Sequence, residues 1–192
     1  MFGRSLNIAI RYTLITTVLL GVIYPLVVTA IGRLALKNQA DGSLITRDGA
    51  VIGSHLIGQN FASDKYFHSR PSAAGSGYDA SNSSGSNYAQ SNRKLVARIQ
   101  ADVAKASQDN PSQPVPIDLV TASGSGLDPD ITPAAAFYQV QRVAQARKLA
   151  DQQVAKLVNE HITPRQFGFL GEPRVNVLEL NLALDDLVKS QQ

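Results

Sequence analysis

The alternation of apolar and polar positions divides the chain into one long apolar run and a remainder of short, interrupted periods. The run is Tyr12 to Gly32, YTLITTVLLGVIYPLVVTAIG, between Arg11 and Arg33, and it holds no charged residue. As a helix it covers roughly 30 Å, the thickness of a bilayer's hydrocarbon core, and a helix satisfies its own backbone in lipid. Pro25 lacks an N–H and predicts a kink. Tyr12 falls at an interface, and Tyr24 is placed to turn its hydroxyl toward a partner helix. A signal peptide shares this pattern, with Arg4 and Arg11 as its basic start and Val28-Thr29-Ala30 as a small-residue cleavage site. So does a buried core helix, but the apolar stretch of either is usually shorter. The expectation is a retained anchor, dividing the chain into a tail (1–11), a membrane helix (12–32) and a soluble domain (33–192).

Beyond the anchor, Leu44-Ile45-Thr46 and Ala50-Val51-Ile52 read as two short strands around an Asp48-Gly49 turn. A third apolar piece runs from His55 to Phe61, followed by Tyr66-Phe67-His68-Ser69-Arg70-Pro71. From Ser72 to Asn92 small and polar residues dominate without a period. This stretch is either a flexible linker or an ordered loop pinned by Tyr78 and Tyr88, with Gly and Asn supplying positive φ. Leu95, Ile99, Val103 and Ala106 place a helix over Arg93–Ser107, capped by Ser91 or Asn92. Pro111, Pro114 and Pro116 end that pattern.

Thr132-Pro133 opens a further helix through AAAFYQVQRVAQARK. Leu149-Ala150 interrupts it, and Asp151 is positioned to cap a second helix over 152–161 with Val154, Leu157 and Val158 inward. Phe167-Gly168-Phe169-Leu170-Gly171-Glu172-Pro173 reads as a turn with aromatic anchors. In the Leu-rich end, alternate leucines argue for strand. Asn176 with Glu179, and the stripe Val177/Leu180/Leu184/Val188, argue for helix, which is preferred. The fold class is therefore α+β: one membrane helix, then a single domain of helices and short strands.

Composition adds exclusions. The 192 residues carry a formal charge of +3, with 44% hydrophobic and 17% charged. That supports one polar-surfaced domain behind the anchor. No Lys/Arg-rich run points to nucleic acid. The absence of cysteine excludes disulfides, thiolate nucleophiles and Cys-ligated zinc. No acidic residue precedes Asp41, and the short basic tail leans toward a cytoplasmic N-terminus with the domain outside.

Chemistry is sparse. His55, His68 and His161 lack metal-ligand spacing, and no Gly-x-Ser-x-Gly elbow occurs. Asp128 and Asp130 flank Pro129 and read as turn and capping residues, or as an acid pair or calcium site. Ser123-Gly124-Ser125-Gly126 has the composition of a phosphate-cradling loop, yet no Walker lysine comes after it and no strand–loop–helix surrounds it. Otherwise it is a tight turn or a surface that another backbone approaches.

Several longer stretches resemble one family. They are Gly58-Gln59-Asn60-Phe61, Tyr66-Phe67, Arg70-Pro71-Ser72-Ala73, the run from Asp118 to Pro129, Tyr138-Gln139, Arg142-Val143-Ala144, and Gly168 to Leu178. With the single N-terminal anchor, they resemble the C subunit of the Kdp potassium-transporting ATPase over nearly the whole chain. Ser84 and Tyr88-Ala89-Gln90 depart from a more usual Gly and Leu-Gly-Pro.

The resemblance implies a non-catalytic accessory subunit of a high-affinity, ATP-driven potassium uptake pump in a bacterial inner membrane. Its partners would be a channel-like subunit that binds potassium, a P-type ATPase subunit that hydrolyses ATP, a small single-helix subunit and membrane lipid. It further implies a catalytic chaperone that raises ATP affinity in the ATPase subunit. ATP is then the only cofactor to consider, with Ser123, Gly124, Ser125 and Gly126 as nucleotide-binding candidates and no catalytic or metal residues. It also implies a periplasmic domain, where that loop cannot reach cytoplasmic ATP. Candidate partner contacts are Gly21, Tyr24, Pro25 and Gly32 on the anchor, which would pack against the channel-like subunit. On the domain, placed to cap that subunit's entrance, they are Gly58, Gln59, Phe61, Tyr66, Phe67, Arg70 and Pro71. The alternative from another class is a free-standing, membrane-anchored periplasmic binding protein or enzyme.

Overall fold

The computed structural model describes residues 2–190. The chain forms two compact units, Met1–Ile52 and Gly53–Gln192.

In the first unit, α1 (Phe2–Val18), a π-helical turn (Leu19–Ile23) and α2 (Tyr24–Ala35) run end to end. Together they form a 34-residue helix, long and apolar enough to cross a membrane, with no residue buried. The helix thus takes in the expected tail as well as the 12–32 segment. The proline signal resolves as a widened turn. Pro25 cannot donate to the carbonyl of Gly21, and Tyr24 N–H reaches back five residues to Leu19. A short α3 (Lys37–Ala40) leads to the hairpin of β1 (Leu44–Arg47) and β2 (Ala50–Ser54). Asp48 (φ 52°) and Gly49 (φ 78°) supply the paired positive φ of a turn whose twist matches the strands.

The second unit is built around a small antiparallel sheet, in the order β3 (Asp130–Ile131), β5 (Arg174–Asn176), β4 (Ile162–Thr163). Ile131 and Val175 face each other in register and are both buried. Against the sheet lie α5 (Pro133–Arg147) and α7 (Val177–Lys189), and α6 (Asp151–Glu160) packs on both helices. Their apolar faces close the core with Ala135, Val140, Val143, Val154, Val158, Leu180 and Leu184. The ambiguous C-terminal segment is helical because Leu178, Leu180 and Leu184 are buried together with Asn181. Its N-cap is Asn176, which accepts from Glu179 N–H at 3.1 Å. The expected reciprocal half of that capping box does not form, because the Glu179 carboxylate pairs with His55 instead.

The boundary between α5 and α6 differs in detail from expectation. Lys148 adopts the left-handed conformation (φ 58°), and Leu149 N–H closes back to the Ala144 carbonyl at 2.9 Å. Asp151 is the first residue of α6 rather than its cap. Gln153 Oε1 reaches back to the Ala150 N–H at 3.1 Å. The helix α4 (Arg93–Ala106) is peripheral. It is capped by Asn92, which accepts from Lys94 N–H at 2.9 Å, and none of its residues is buried.

Between these elements, the Ser72–Asn92 stretch is an ordered loop. Ser72 Oγ accepts from the N–H groups of Ala74 and Tyr78 at 3.1 and 2.9 Å, and Ala74 is fully buried. Tyr78 pins the loop as expected, whereas Tyr88 stays exposed. A second expectation reverses. Phe167 and Phe169, read as anchors, are 78% and 71% exposed.

Candidate functional site

The sequence Asp64-Lys65-Tyr66-Phe67-His68 crosses the second unit without belonging to any strand. Its backbone groups need partners all the same, because Phe67 is fully buried. Side chains of α5 and α7 provide them. Arg142 Nη1 donates to the carbonyls of Asp64 (2.7 Å) and Tyr66 (3.0 Å), and Arg147 Nε donates to that of Lys65 (2.7 Å). Asn181 Nδ2 donates to the carbonyl of Phe67 (3.0 Å), and Gln139 Nε2 to that of His68 (3.1 Å). In return, Asn181 Oδ1 accepts from Phe67 N–H at 2.8 Å, and Gln139 Oε1 from His68 N–H at 2.7 Å. Two amide side chains therefore pair with the segment as a neighbouring strand would.

The clamp is itself held in place. Arg142 is 9% exposed, pairs with Asp109 at 2.9 Å and donates to Gln139 Oε1 at 2.7 Å. Arg147 pairs with Asp185 at 2.7 Å and lies 4.5 Å from the centre of the Tyr66 ring, a cation–π distance. The Tyr66 hydroxyl donates to Asp185 at 3.1 Å, and its ring centre is 5.3 Å from that of Phe61.

Beside this segment lies a cleft of about 390 Å³, bordered by Gln59, Phe61, His68, Arg70, Pro71, Tyr78 and Lys105 among others. Burial, reinforced by Arg142, holds His68 below its ordinary value of 6.5. Burial also pushes the Tyr78 phenol up to about 12, so it remains a donor, reaching the Arg70 carbonyl at 2.6 Å. Arg70 binds Asp128 at 2.8 Å and the Thr121 carbonyl at 3.3 Å. Asp128 Oδ1 accepts from Asp130 N–H at 3.1 Å, and Asp130 pairs with Arg174 at 3.0 Å. The two aspartates thus act as turn and ion-pair residues. Among the described residues, no cluster of His, Asp or Glu is arranged to hold a metal ion.

The Ser123–Gly126 loop is met by another backbone. Ser83 Oγ donates to the Ser125 carbonyl at 2.9 Å, and Ser72 Oγ to that of Gly126 at 2.6 Å. At Gly126 (φ 68°) an added Cβ would lie 2.6 Å from the Ser84 carbonyl oxygen and 2.7 Å from Ala74 N. The loop leads through Leu127 into strand β3, with no helix N-terminus to cradle a phosphate. Gly58 belongs to the same arrangement. Its N–H reaches the Leu127 carbonyl at 2.8 Å, and a Cβ would collide with Asp128 and Tyr78.

Of the anticipated contact residues, Gln59, Phe61, Arg70 and Pro71 border the cleft, Tyr66 and Phe67 lie in the clamp, and Gly58 supports it. Gly21, Tyr24 and Pro25 lie in the first unit on exposed faces of the long helix, and Gly32, on the same helix, is half-buried.

A family model described as "KdpC: K+-transporting ATPase, c chain" matches residues 6–186, which takes in the membrane helix, the clamp and the serine-glycine loop. The chain belongs to the KdpC family. A protein named potassium-transporting ATPase KdpC subunit in Acidobacterium capsulatum is 55% identical over 184 residues, covering 96% of this chain and 99% of that one. One of the same name in Koribacter versatilis is 51% identical over 182 residues, covering 95% and 94%. A third, in Gemmatimonas aurantiaca, is 55% identical over 186 residues, covering 96% and 94%.

In this KdpC-family chain the clamp residues Gln139, Asn181, Arg147 and Asp185 went unassigned by sequence reasoning, as did the role of Arg142. A signal existed for two of them. Gln139 sits between Ala135, Ala136, Val140 and Val143, and Asn181 between Leu178, Leu180 and Leu184, on faces that are otherwise apolar. A polar residue on a buried stripe announces a backbone partner elsewhere in the fold.

Proposed function

We propose that this KdpC-family chain is an accessory subunit of a potassium-transporting ATPase. Its first unit is the membrane anchor, and its second unit is a rigid docking body for the pump's larger membrane subunits. The single observation that carries this reading is the family match over residues 6–186. The geometry agrees with it. The polar groups that could have done chemistry, Asp128, Asp130, His68 and the Ser123–Gly126 loop, are bound to neighbouring backbone or to ion-pair partners. A clamp of this kind fixes the shape of a surface rather than turning over a substrate. The channel-like and ATP-hydrolysing subunits are its partners, in a bacterial inner membrane, with the second unit outside the cytoplasm.

The test is affinity purification of the tagged full chain from mild-detergent extracts of cells that express it under potassium limitation. Larger membrane subunits and potassium-stimulated ATPase activity should elute with it. A chain that elutes alone under those conditions would sink the proposal. Topology is read separately. The protein has no native thiol, so Ala89→Cys in the exposed part of the polar loop gives one addressable site. Labelling by an impermeant maleimide once only the outer barrier is opened places the second unit outside. Labelling only after the inner membrane is breached overturns that placement.

A further inference from the structure

We propose that the hairpin tip Phe167-Gly168-Phe169 is a protein-docking plug, inserting into an apolar pocket on one of the pump's membrane subunits. The proposal rests on the pump reading above and names the surface that reading leaves unspecified.

The tip is built for presentation. Gln166 and Leu170 close it with a reciprocal backbone pair, both bonds 2.9 Å. Gly168 N–H closes further onto the Arg165 carbonyl at 3.1 Å. Phe167 holds φ 54°, a left-handed conformation that a bulky side chain rarely adopts, followed by Gly168 at 82°. That geometry is spent on turning two phenyl rings away from the protein, leaving them 78% and 71% exposed beside a 47%-exposed Leu170. Among the described residues of the second unit, no other aromatic side chain is exposed to this degree. A turn that only linked β4 to β5 would not require them.

The chemistry favours a protein pocket over lipid as the occupant. Aromatic residues that settle at a bilayer surface are mainly Trp and Tyr, whose polar ends stay among the headgroups, and this tip has neither. Nor does its base offer a surplus of cations to anionic lipid. Arg165 pairs with Glu172 at 2.6 Å, and Arg174 with Asp130 at 3.0 Å. A charge-neutral base beneath apolar side chains on a backbone-closed turn matches an aromatic anchor in a desolvated protein pocket. There, a shape fixed in advance lowers the ordering cost of binding.

The experiment uses the full chain with its pump. Phe169→Cys places the only thiol of the chain at the tip, and a benzophenone maleimide there is photolysed in membranes before purification. The expected result is an adduct mapped to a peptide of a co-purifying pump subunit. In parallel, Phe167→Ser with Phe169→Ser should weaken retention of the chain by the pump about tenfold or more, the scale of losing one good anchor. Its thermal unfolding should match that of the parent, since neither ring is buried. Adducts to lipid alone, or none, from a chain that still brings down the pump would overturn the plug while leaving the pump reading intact. Unchanged retention of the double variant would do the same. A parent chain that brings down no pump subunit fails the pump reading, and the plug falls with it.

Discussion

Asn181 binds both backbone groups of Phe67, accepting from its N–H at 2.8 Å and donating to its carbonyl at 3.0 Å, with both residues buried. A single amide on α7 thereby performs the work of a strand residue for a segment 114 positions earlier in the chain. Removal of that amide strands two polar groups in an apolar interior. For Asn181→Leu the expected loss is about 2–4 kcal/mol, the sum of two unsatisfied groups, despite the gain in apolar volume. The urea midpoint of the full chain in detergent measures it. A midpoint within error of the parent would show that the segment finds other partners.

His68 makes stability depend on pH. Burial first, then Arg142, holds it below 6.5, with Lys105 acting in the same direction and Asp109 opposing. The folded chain therefore keeps it neutral where the unfolded chain takes up a proton. The contribution is full above 6.5, falls as pH drops through 6.5 toward the folded value, and levels off below it. His68→Gln has no such proton. Between about pH 6.5 and 5 its melting temperature should decline less than that of the parent. Parallel declines would exclude His68 as the source.

Two glycines of one loop should respond unequally to the same substitution. Gly126→Ala forces a Cβ against the Ser84 carbonyl and Ala74 N at a positive φ, and should cost about 2 kcal/mol or more while loosening the 72–85 stretch. Gly124→Ala meets nothing within 4 Å and should stay within about 0.5 kcal/mol. Limited proteolysis of the polar loop distinguishes them, with faster cleavage expected for Gly126→Ala alone.

The long helix offers a further test. Pro25 denies Gly21 its helical donor, and the π turn lies immediately before it. Pro25→Leu restores an N–H at that position and should convert the segment to continuous α-helix. Spin labels at Thr13 and Ile31 should then show a shifted, narrower distance distribution. An unchanged distribution would mean that the widened turn is set by other residues.

The long apolar helix, the α+β class, the Asp48-Gly49 hairpin and the starts of α4, α5 and α7 were legible in the sequence. Each depends on neighbours within a few positions. An unbroken apolar run, an Asp-Gly pair, an Asn cap and a Thr-Pro start carry their physics locally. The family resemblance was also legible, because its motifs are contiguous.

The clamp on 64–68, the seating of the 72–85 loop against Ser123–Gly126 and the outward turn of Phe167 and Phe169 were decided only by tertiary structure. Composition made the polar loop equally a linker, because Ser and Gly carry no sign of which distant carbonyl a hydroxyl will reach. Aromatic residues beside glycines read as anchors because an apolar side chain is normally most stable inside. Whether it is buried depends on whether the core brings a surface to it, and neither Phe167 nor Phe169 belongs to the core cluster that holds Val175, Val177 and Leu180. Periodicity records which face of an element is apolar. The partner of a buried amide depends on packing between segments more than a hundred residues apart, and that information exists only once the chain has closed on itself.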